Sequence, residues 1–256
     1  MLLKFQEYGQ ERPIIILQGL FGSARNWQGI ARVLGKDHHV IAPDLRNHGQ
    51  SPHVKSMSYI EMANDVISIA NQLNRDDVVL AGHSMGGKVA MTAALTNPDR
   101  ISALVVVDIA PVNYSHDFKL RVDAMNSLPL QSLKTQADVE AELGKVIDEI
   151  SVIQFIIQNL VRSGDGFRWR INLEQITANL DALGQFPDTL ANISCRIPAL
   201  FLGGSEPEYL RSIYNTGIFQ FFPAAEIIMI EGAGHWLHAE KPNEFLHEVK
   251  TFISFV

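Results

Sequence analysis

The feature that most constrains the fold is a series of short apolar runs, nearly continuous in valine, isoleucine and leucine, separated by segments of helical pattern. Six runs stand out, at residues 13–19, 38–44, 77–83, 103–109, 198–204 and 226–232. Because several of them do not alternate between apolar and polar residues, they predict parallel strands that are covered on both faces. The alternation of strands and helices then predicts an α/β domain with a mainly parallel central sheet and helices on both faces.

Helix ends are marked by local signals. Ser58 and Glu61 form a capping-box pattern in front of an apolar stripe. A helix is predicted over 85–96, where it should stop before Asn97-Pro98. Pro242 stands where a final helix would begin.

Residues 111–187 interrupt the alternation of strands and helices, because they contain no strong strand pattern and carry apolar stripes at helical spacing. About 75 helical residues between two strands are far more than a usual connection requires. We therefore predict a core formed by residues 1–110 and 188–256, with an inserted helical cap at 111–187 over one end of the sheet.

Composition limits the possible partners and the location. The chain has 256 residues, of which 46% are apolar, and a formal net charge of −7, which argues against nucleic acid as a partner. No apolar stretch approaches a signal peptide or the roughly 18 residues that span a bilayer. The single cysteine, Cys195, cannot form an internal disulfide, and we interpret it as a small structural residue. A cytoplasmic location is expected.

The strongest chemical signal is GHSMGG, residues 82–87, which contains the pattern G-x-S-x-G around Ser84. It follows a predicted strand and opens a predicted helix, which is the context of a serine on a sharp, strained turn. Gly82 and Gly86 are expected because side chains there would crowd the serine. Ser84 is therefore predicted to be a nucleophile, and the alternative is a glycine-rich turn with a bystander serine.

A serine hydroxyl needs a general base, and His235 in GAGHW follows the last predicted strand, as a base should in this chain order. His238 is interpreted as a packing or surface residue, because neither a third ligand nor an HExxH pattern supports a metal site. His83 is interpreted as structural. No metal and no cofactor are predicted.

The loop QGLFGS, residues 18–23, follows the first long apolar run. In this type of site, such a loop supplies one of the two N–H groups that stabilise a developing oxyanion. We predict that the backbone N–H groups of Leu20 and Met85 form this pair. Gly19 and Gly22 would let the loop approach closely.

Together these motifs resemble the α/β-hydrolase superfamily and, within it, the YbfF-type esterases. The motifs that carry the resemblance are QGLFGS (18–23), DLRNHGQSP (44–52), GHSMGGK (82–88), DIAPVNY (108–114) and GAGHWLHAEKP (232–242). Most relatives have histidine where this chain has Gln18, and a glutamine can still donate and accept hydrogen bonds. The resemblance implies the α/β-hydrolase fold and an esterase, with acyl-CoA as a further substrate class.

The resemblance also implies that the acid of the triad is Asp108. This residue directly follows the apolar run ALVVV at the same predicted sheet edge as Ser84, and a carboxylate buried there needs a partner. Two alternatives stay open: Asp108 could cap the chain where it enters the insertion, or Glu206 could be the acid. With Asp108 as the acid, Ser205 occupies the position where the acid usually lies and could be an accessory group that hydrogen-bonds the imidazole or the carboxylate.

The predicted function is hydrolysis of a small-molecule ester or thioester through a Ser-His-Asp triad and an acyl-enzyme intermediate. The apolar insertion suggests an acyl pocket. Arg162, Arg168 and Arg170 could meet phosphates or could belong to a solvated turn between helices. Two alternatives remain: a lyase or perhydrolase of the same fold, and a ligand-binding protein that retains the triad.

Overall fold

The computed structural model describes residues 1–73, 75, 77–114, 118–206 and 209–256. The strands are β1 (Phe5–Tyr8), β2 (Pro13–Leu17), β3 (His39–Pro43), β4 (Val78–His83), β5 (Ile101–Val107), β6 (Leu160–Ser163), β7 (Gly166–Trp169), β8 (Ala199–Gly204) and β9 (Ala225–Ile230). The helices are α1 (Gln28–Leu34), α2 (Tyr59–Gln72), α3 (Met85–Thr96), α4 (Phe118–Ser127), α5 (Gln136–Leu143), α6 (Ile150–Ile157), α7 (Leu173–Ala178), α8 (Leu180–Gly184), α9 (Asn215–Phe221), α10 (Leu237–Glu240) and α11 (Pro242–Ser254).

A seven-stranded sheet in the order β1-β3-β2-β4-β5-β8-β9 forms the centre of the fold. Neighbouring strands are parallel except for the antiparallel pair β1 and β3. The predicted mainly parallel sheet is therefore confirmed, and each of the six apolar runs overlaps one of its strands. Strand β1 was not predicted because its sequence, FQEY, is mostly polar and none of its residues is fully buried.

Helices cover both faces of the sheet because successive strand residues point to opposite sides. In β2, Ile15 and Leu17 belong to the apolar cluster that includes residues of α2 and α3. Ile14 and Ile16 belong to the cluster that includes residues of α1 and α11. Since the strands β2, β4, β5, β8 and β9 are parallel, the loops that follow them gather at one edge of the sheet.

The predicted helix ends agree closely with the structure. Helix α3 covers Met85–Thr96, and α11 begins at Pro242. Ser58 is the N-cap of α2, and its hydroxyl accepts a hydrogen bond from the Glu61 N–H. The Ser58 hydroxyl also donates to the Glu61 carboxylate at 2.6 Å. In a full capping box this carboxylate would instead accept a hydrogen bond from the backbone N–H of Ser58.

Between β5 and β8 the chain contains helices α4 to α8 and also the antiparallel hairpin β6–β7. The expectation of an insertion without strands is wrong here, because two short strands surround a turn at Gly164 (φ 58°). These strands have only four residues each, and their charged and glycine residues resemble a solvated turn in the sequence. No helix in the described ranges is long and apolar enough to cross a membrane.

Candidate active site

Ser84 lies on the turn between β4 and α3, with φ 51° and ψ −119°. This strained left-handed φ is held in part by the Ser84 N–H, which donates to the Val107 carbonyl of β5 at 2.9 Å. A Cβ on Gly82 would lie 2.2 Å from the Gly86 carbonyl oxygen, and a Cβ on Gly86 would lie 2.5 Å from the Gln18 carbonyl oxygen. Only glycine therefore fits at these two positions.

The serine is 5% exposed and lines a narrow cavity of about 30 Å³. His235 lines the same cavity, so the structure brings the predicted nucleophile and the predicted base together. Apolar side chains of α4 and α6 cover them, namely Phe118, Val152, Phe155 and Ile156. Reacting groups in this cavity are therefore largely shielded from bulk water.

Asp108 follows β5 and is joined to His235 by a short hydrogen bond. Its Oδ2 atom lies 2.6 Å from Nδ1 of His235, and the aspartate is 1% exposed. The backbone at Asp108 has φ 46°, and its N–H donates to the Leu202 carbonyl of β8 at 2.7 Å. This conformation at the end of β5 directs the carboxylate past β8 to the loop after β9.

The alternative acid lies elsewhere. Glu206 is exposed, and its backbone N–H donates to the Ala233 carbonyl at 3.2 Å. The hydroxyl of Ser205 accepts a hydrogen bond from the Gly232 N–H at 2.8 Å. Within the described residues, no hydrogen bond joins either side chain to Asp108 or His235. Both residues instead hydrogen-bond to the backbone of the loop that carries His235.

Burial dominates the electrostatics of the pair. It lowers the pKa of His235 to about 3, and the positive charge of Arg121 adds to this effect. Burial raises the pKa of Asp108 to about 7. The imidazole is therefore neutral at rest. With Nδ1 donating to Asp108, its other nitrogen is able to accept a proton.

Two further side chains hold the loop that carries His235. The Nε2 atom of His83 hydrogen-bonds to the His235 carbonyl oxygen at 2.9 Å. The Glu240 carboxylate accepts hydrogen bonds from the N–H groups of Gly234 at 2.6 Å and Trp236 at 3.1 Å. His83 therefore has a structural role, because it supports the backbone of the predicted base, His235.

The two residues interpreted from the sequence as packing or structural residues, His238 and Cys195, are both buried. His238 is buried and stacks on Trp27, with 4.2 Å between the ring centroids. Cys195 is a buried free cysteine. The ranges that the structure describes contain no group of three or more His, Cys, Asp or Glu residues arranged to hold a metal ion.

The loop after β2 passes very close to Ser84. A Cβ on Gly19 would lie 3.3 Å from the Cβ of Ser84, so the glycine permits this approach. Leu20 lines the cavity beside Ser84, and Met85 is the first residue of α3. The N–H groups at the start of a helix have no partner within the helix, so that of Met85 is available to an anion.

Three buried polar side chains fix this loop. With the amide of Gln18 oriented to satisfy both its atoms, the nitrogen donates to the Pro43 carbonyl and the oxygen accepts from the Leu45 N–H, each at 2.8 Å. Glutamine therefore supports the loop as expected. His48 Nε2 accepts from the Phe21 N–H at 3.2 Å. Separately, the Asn159 amide donates to the Phe21 carbonyl at 2.7 Å.

Two cations lie close to the cavity. Arg121 of α4 lines it beside His235, and none of the ion pairs between described residues includes its guanidinium. Lys88 of α3 is 1% exposed and donates to the carbonyl oxygens of Gly184 at 2.8 Å and Gln185 at 2.9 Å. Burial lowers the pKa of Lys88 to about 7. This ammonium group joins the helix after Ser84 to the end of α8.

A buried serine on a strained turn, an imidazole with a carboxylate partner and a close glycine loop are the components of a serine hydrolase site. Comparison with known proteins agrees with this class. The α/β-hydrolase fold family matches residues 12–242. The chain therefore belongs to the α/β-hydrolase family, and it is a hydrolase of the esterase type.

Several relatives extend over nearly the whole chain. Esterase YbfF of Escherichia coli is 34% identical over 97% of this chain and 96% of its own length. The sn-1-specific diacylglycerol lipase ABHD11 of Danio rerio is 39% identical over 97% of this chain and 80% of its own length. A solved structure described as a marine microorganism esterase has a TM-score of 0.93 at 36% identity and covers 98% of this chain and 99% of that one.

Sequence reasoning did not identify some residues of the site. His48 and Glu240 lie within two of the shared motifs, 44–52 and 232–242, but their contacts with loop backbone depend on tertiary structure. Arg121 lies in α4, and no local pattern distinguishes it from a surface arginine. Only the packing of α4 over the sheet edge reveals it.

Proposed function

We propose that this chain hydrolyses carboxylic esters and thioesters of small molecules through an acyl intermediate on Ser84. The observation that carries the proposal is the 2.6 Å contact between Asp108 Oδ2 and His235 Nδ1, in a cavity that Ser84 also lines. A serine nucleophile and its histidine base require a third group that orients the histidine. This contact favours Asp108 over Glu206 as that group.

In the first step, the Ser84 hydroxyl attacks the carbonyl carbon while His235 accepts its proton. Asp108 orients the imidazole and stabilises the imidazolium that forms. The backbone N–H groups of Leu20 and Met85 donate to the negative oxygen of the tetrahedral intermediate. Collapse of this intermediate breaks the bond to the leaving group, which takes the proton from His235.

In the second step, water attacks the acyl-enzyme. His235 removes a proton from the water, the same two N–H groups stabilise the second oxyanion, and the proton returns to Ser84 as the acid departs. The neutral state of His235, favoured by burial, suits it to act as the base.

The lining of the cavity supports an apolar acyl group. Phe118, Leu20 and Ile156 surround the serine, and a second small cavity beside it is lined by Tyr59 and Leu183 among others. We propose that residues 111–187 form a cap that supplies much of this lining. The relative named a diacylglycerol lipase makes acylglycerols one substrate class to test.

The proposal is tested with a fluorophosphonate probe and with p-nitrophenyl butyrate. The wild type should hydrolyse the ester and carry the probe on the peptide that contains Ser84, and Ser84→Ala should lose both properties. The proposal fails if the probe labels another residue or if Ser84→Ala retains turnover. Ligand binding without turnover in the wild type would favour the ligand-binding alternative.

A further inference from the structure

A polar cleft of about 260 Å³ lies outside the catalytic cavity. It is formed by the loop after β2, the loop after β3 and the inserted segment, which contribute Arg25, Gln50 and Arg170 among other residues. Neither the apolar core nor the proposed catalytic steps use these side chains. The cleft therefore needs an explanation of its own.

The charge of the cleft is suited to an anion. None of the hydrogen bonds or ion pairs between described residues engages the guanidinium of Arg25 or Arg170. Asp44 also lines the cleft, but its two oxygens accept the N–H groups of Ala24 and Gln50, each at 2.8 Å. Two guanidinium groups are thus available beside a carboxylate whose oxygens already accept hydrogen bonds from the loop backbone. Arginine is the side chain that best matches phosphate, through paired N–H donors.

The cleft and the catalytic cavity border the same open groove. An open groove of about 630 Å³ shares Arg25 and Gln158 with the cleft at one end. At the other end it shares Phe155 and Trp236 with the cavity that contains Ser84. The rings of Phe155 and Trp236, which line both the groove and the cavity, pack with 5.4 Å between their centroids, and an extended substrate that reaches from the serine to the arginines would run along this groove.

The groove adjoins the part of the site that carries His235. His235 delivers the proton to the leaving oxygen or sulfur, and Trp236, the next residue, lines the groove. The second small cavity beside Ser84, lined by Tyr59 and Leu183, lies at the side of Met85 and suits the acyl group. A group bound in the cleft would then belong to the alcohol or thiol part of the substrate.

We propose that Arg25 and Arg170 bind a phosphate group carried on the leaving-group side of the substrate. The inference rests on the proposed function, because it takes Ser84 and His235 as the reacting groups. The phosphate could belong to a long thiol such as coenzyme A or to a glycerol phosphate. In both cases the arginines recognise the same oxyanion, and the two sources are separate arms of the test.

Two matched substrate pairs test this inference. Butyryl-CoA is compared with S-butyryl-N-acetylcysteamine, which has the same thioester without phosphates. The compound 1-decanoylglycerol 3-phosphate is compared with 1-decanoylglycerol. For the preferred phosphate-bearing substrate, Arg25→Gln with Arg170→Gln should lower kcat/KM about 10- to 100-fold, the range of one or two charge-assisted hydrogen bonds. The phosphate-free partner should change less than twofold.

Arg168→Gln is the matched control, because Arg168 is an exposed residue of β7, two positions before Arg170, and lines a different surface depression. It should leave both members of each pair unchanged. Added salt should weaken the phosphate preference of the wild type and not that of the double variant. Adenosine 3′,5′-bisphosphate should also bind the Ser84→Ala protein in calorimetry. It should bind at least tenfold more weakly to the triple variant that combines Ser84→Ala, Arg25→Gln and Arg170→Gln.

Several results would overturn the inference: no preference of the wild type for either phosphate-bearing substrate, equal losses on both members of a pair, or an equal loss in Arg168→Gln. The proposed function is judged separately by the phosphate-free substrates. If Ser84→Ala hydrolyses these as well as the wild type does, the nucleophile is wrong, whatever the arginines bind.

Discussion

Replacing Asp108 by asparagine tests the proposed acid with almost no change in side-chain shape. The carboxylate lies 2.6 Å from His235 Nδ1 and is 1% exposed, so water cannot replace it in the variant. In the transition state the imidazole carries a positive charge next to this carboxylate. Since both charges are delocalised, their effective separation is about 4 Å, which gives roughly 4 kcal/mol at an effective dielectric constant of 20.

That loss corresponds to about a thousandfold, because each 1.36 kcal/mol is a factor of ten in rate. Asparagine can also present its amide nitrogen to the ring and favour the wrong tautomer, which raises the expected loss in kcat toward ten thousandfold. The assay is steady-state hydrolysis of p-nitrophenyl butyrate at pH 8. Thermal unfolding of each variant shows whether it is folded.

Glu206→Gln is the matched control, since it makes the same chemical change on the exposed residue that follows β8. We expect it to retain at least half of the wild-type kcat. If Asp108→Asn retained more than a tenth of the activity, or if Glu206→Gln were the inactive variant, our argument from the 2.6 Å contact would be refuted. Asp108 would then be a structural residue at the end of β5.

Three other predictions concern buried charges near the site. Burial lowers the pKa of His48 to about 4 from its usual 6.5, so the unfolded chain binds this proton more readily. This one group should remove about 3 kcal/mol of wild-type stability between pH 6.5 and 4. Urea unfolding of His48→Leu should lack that component, and its kcat should drop because the Phe21 N–H loses its acceptor. Lys88 has its pKa lowered to about 7 from 10.5, so the wild type should gain up to about 5 kcal/mol as pH rises from 7 to 10.5. The same measurement on Lys88→Met should show no such gain. Arg121→Gln removes a positive charge that lowers the pKa of His235, so the acid limb of kcat/KM for a neutral ester should move to higher pH.

Some features of the site follow from short stretches of sequence. The turn at Ser84 depends on a strand, a helix and two glycines that lie within a few residues of one another, so the pattern contains nearly all the information. The same is true of α3 and of the start of α11 at Pro242, because caps and breaking residues act locally.

The hairpin β6–β7 is a counterexample within the inserted segment. Its strands are short, and Arg162 and Arg168 within it carry the charge of a solvated turn. Their pairing is stabilised by contacts with residues distant in the chain, such as the hydrogen bond from the Phe167 N–H to the Leu130 carbonyl at 2.9 Å. The sequence pattern of the hairpin alone cannot predict those contacts.

The sequence by itself determined the parallel sheet, the turn at Ser84 and the loop position of His235, because apolar periodicity and turn chemistry act over a few residues. Only the tertiary structure decided which carboxylate contacts the imidazole. Asp108 and Glu206 both follow apolar strands at the same sheet edge, and the sequence alone ranks them only by resemblance. The order β5-β8-β9 and the left-handed backbone at Asp108 bring its side chain to His235, while the side chain of Glu206 stays exposed. Distances across three strands depend on how the whole sheet packs, and no local pattern encodes them.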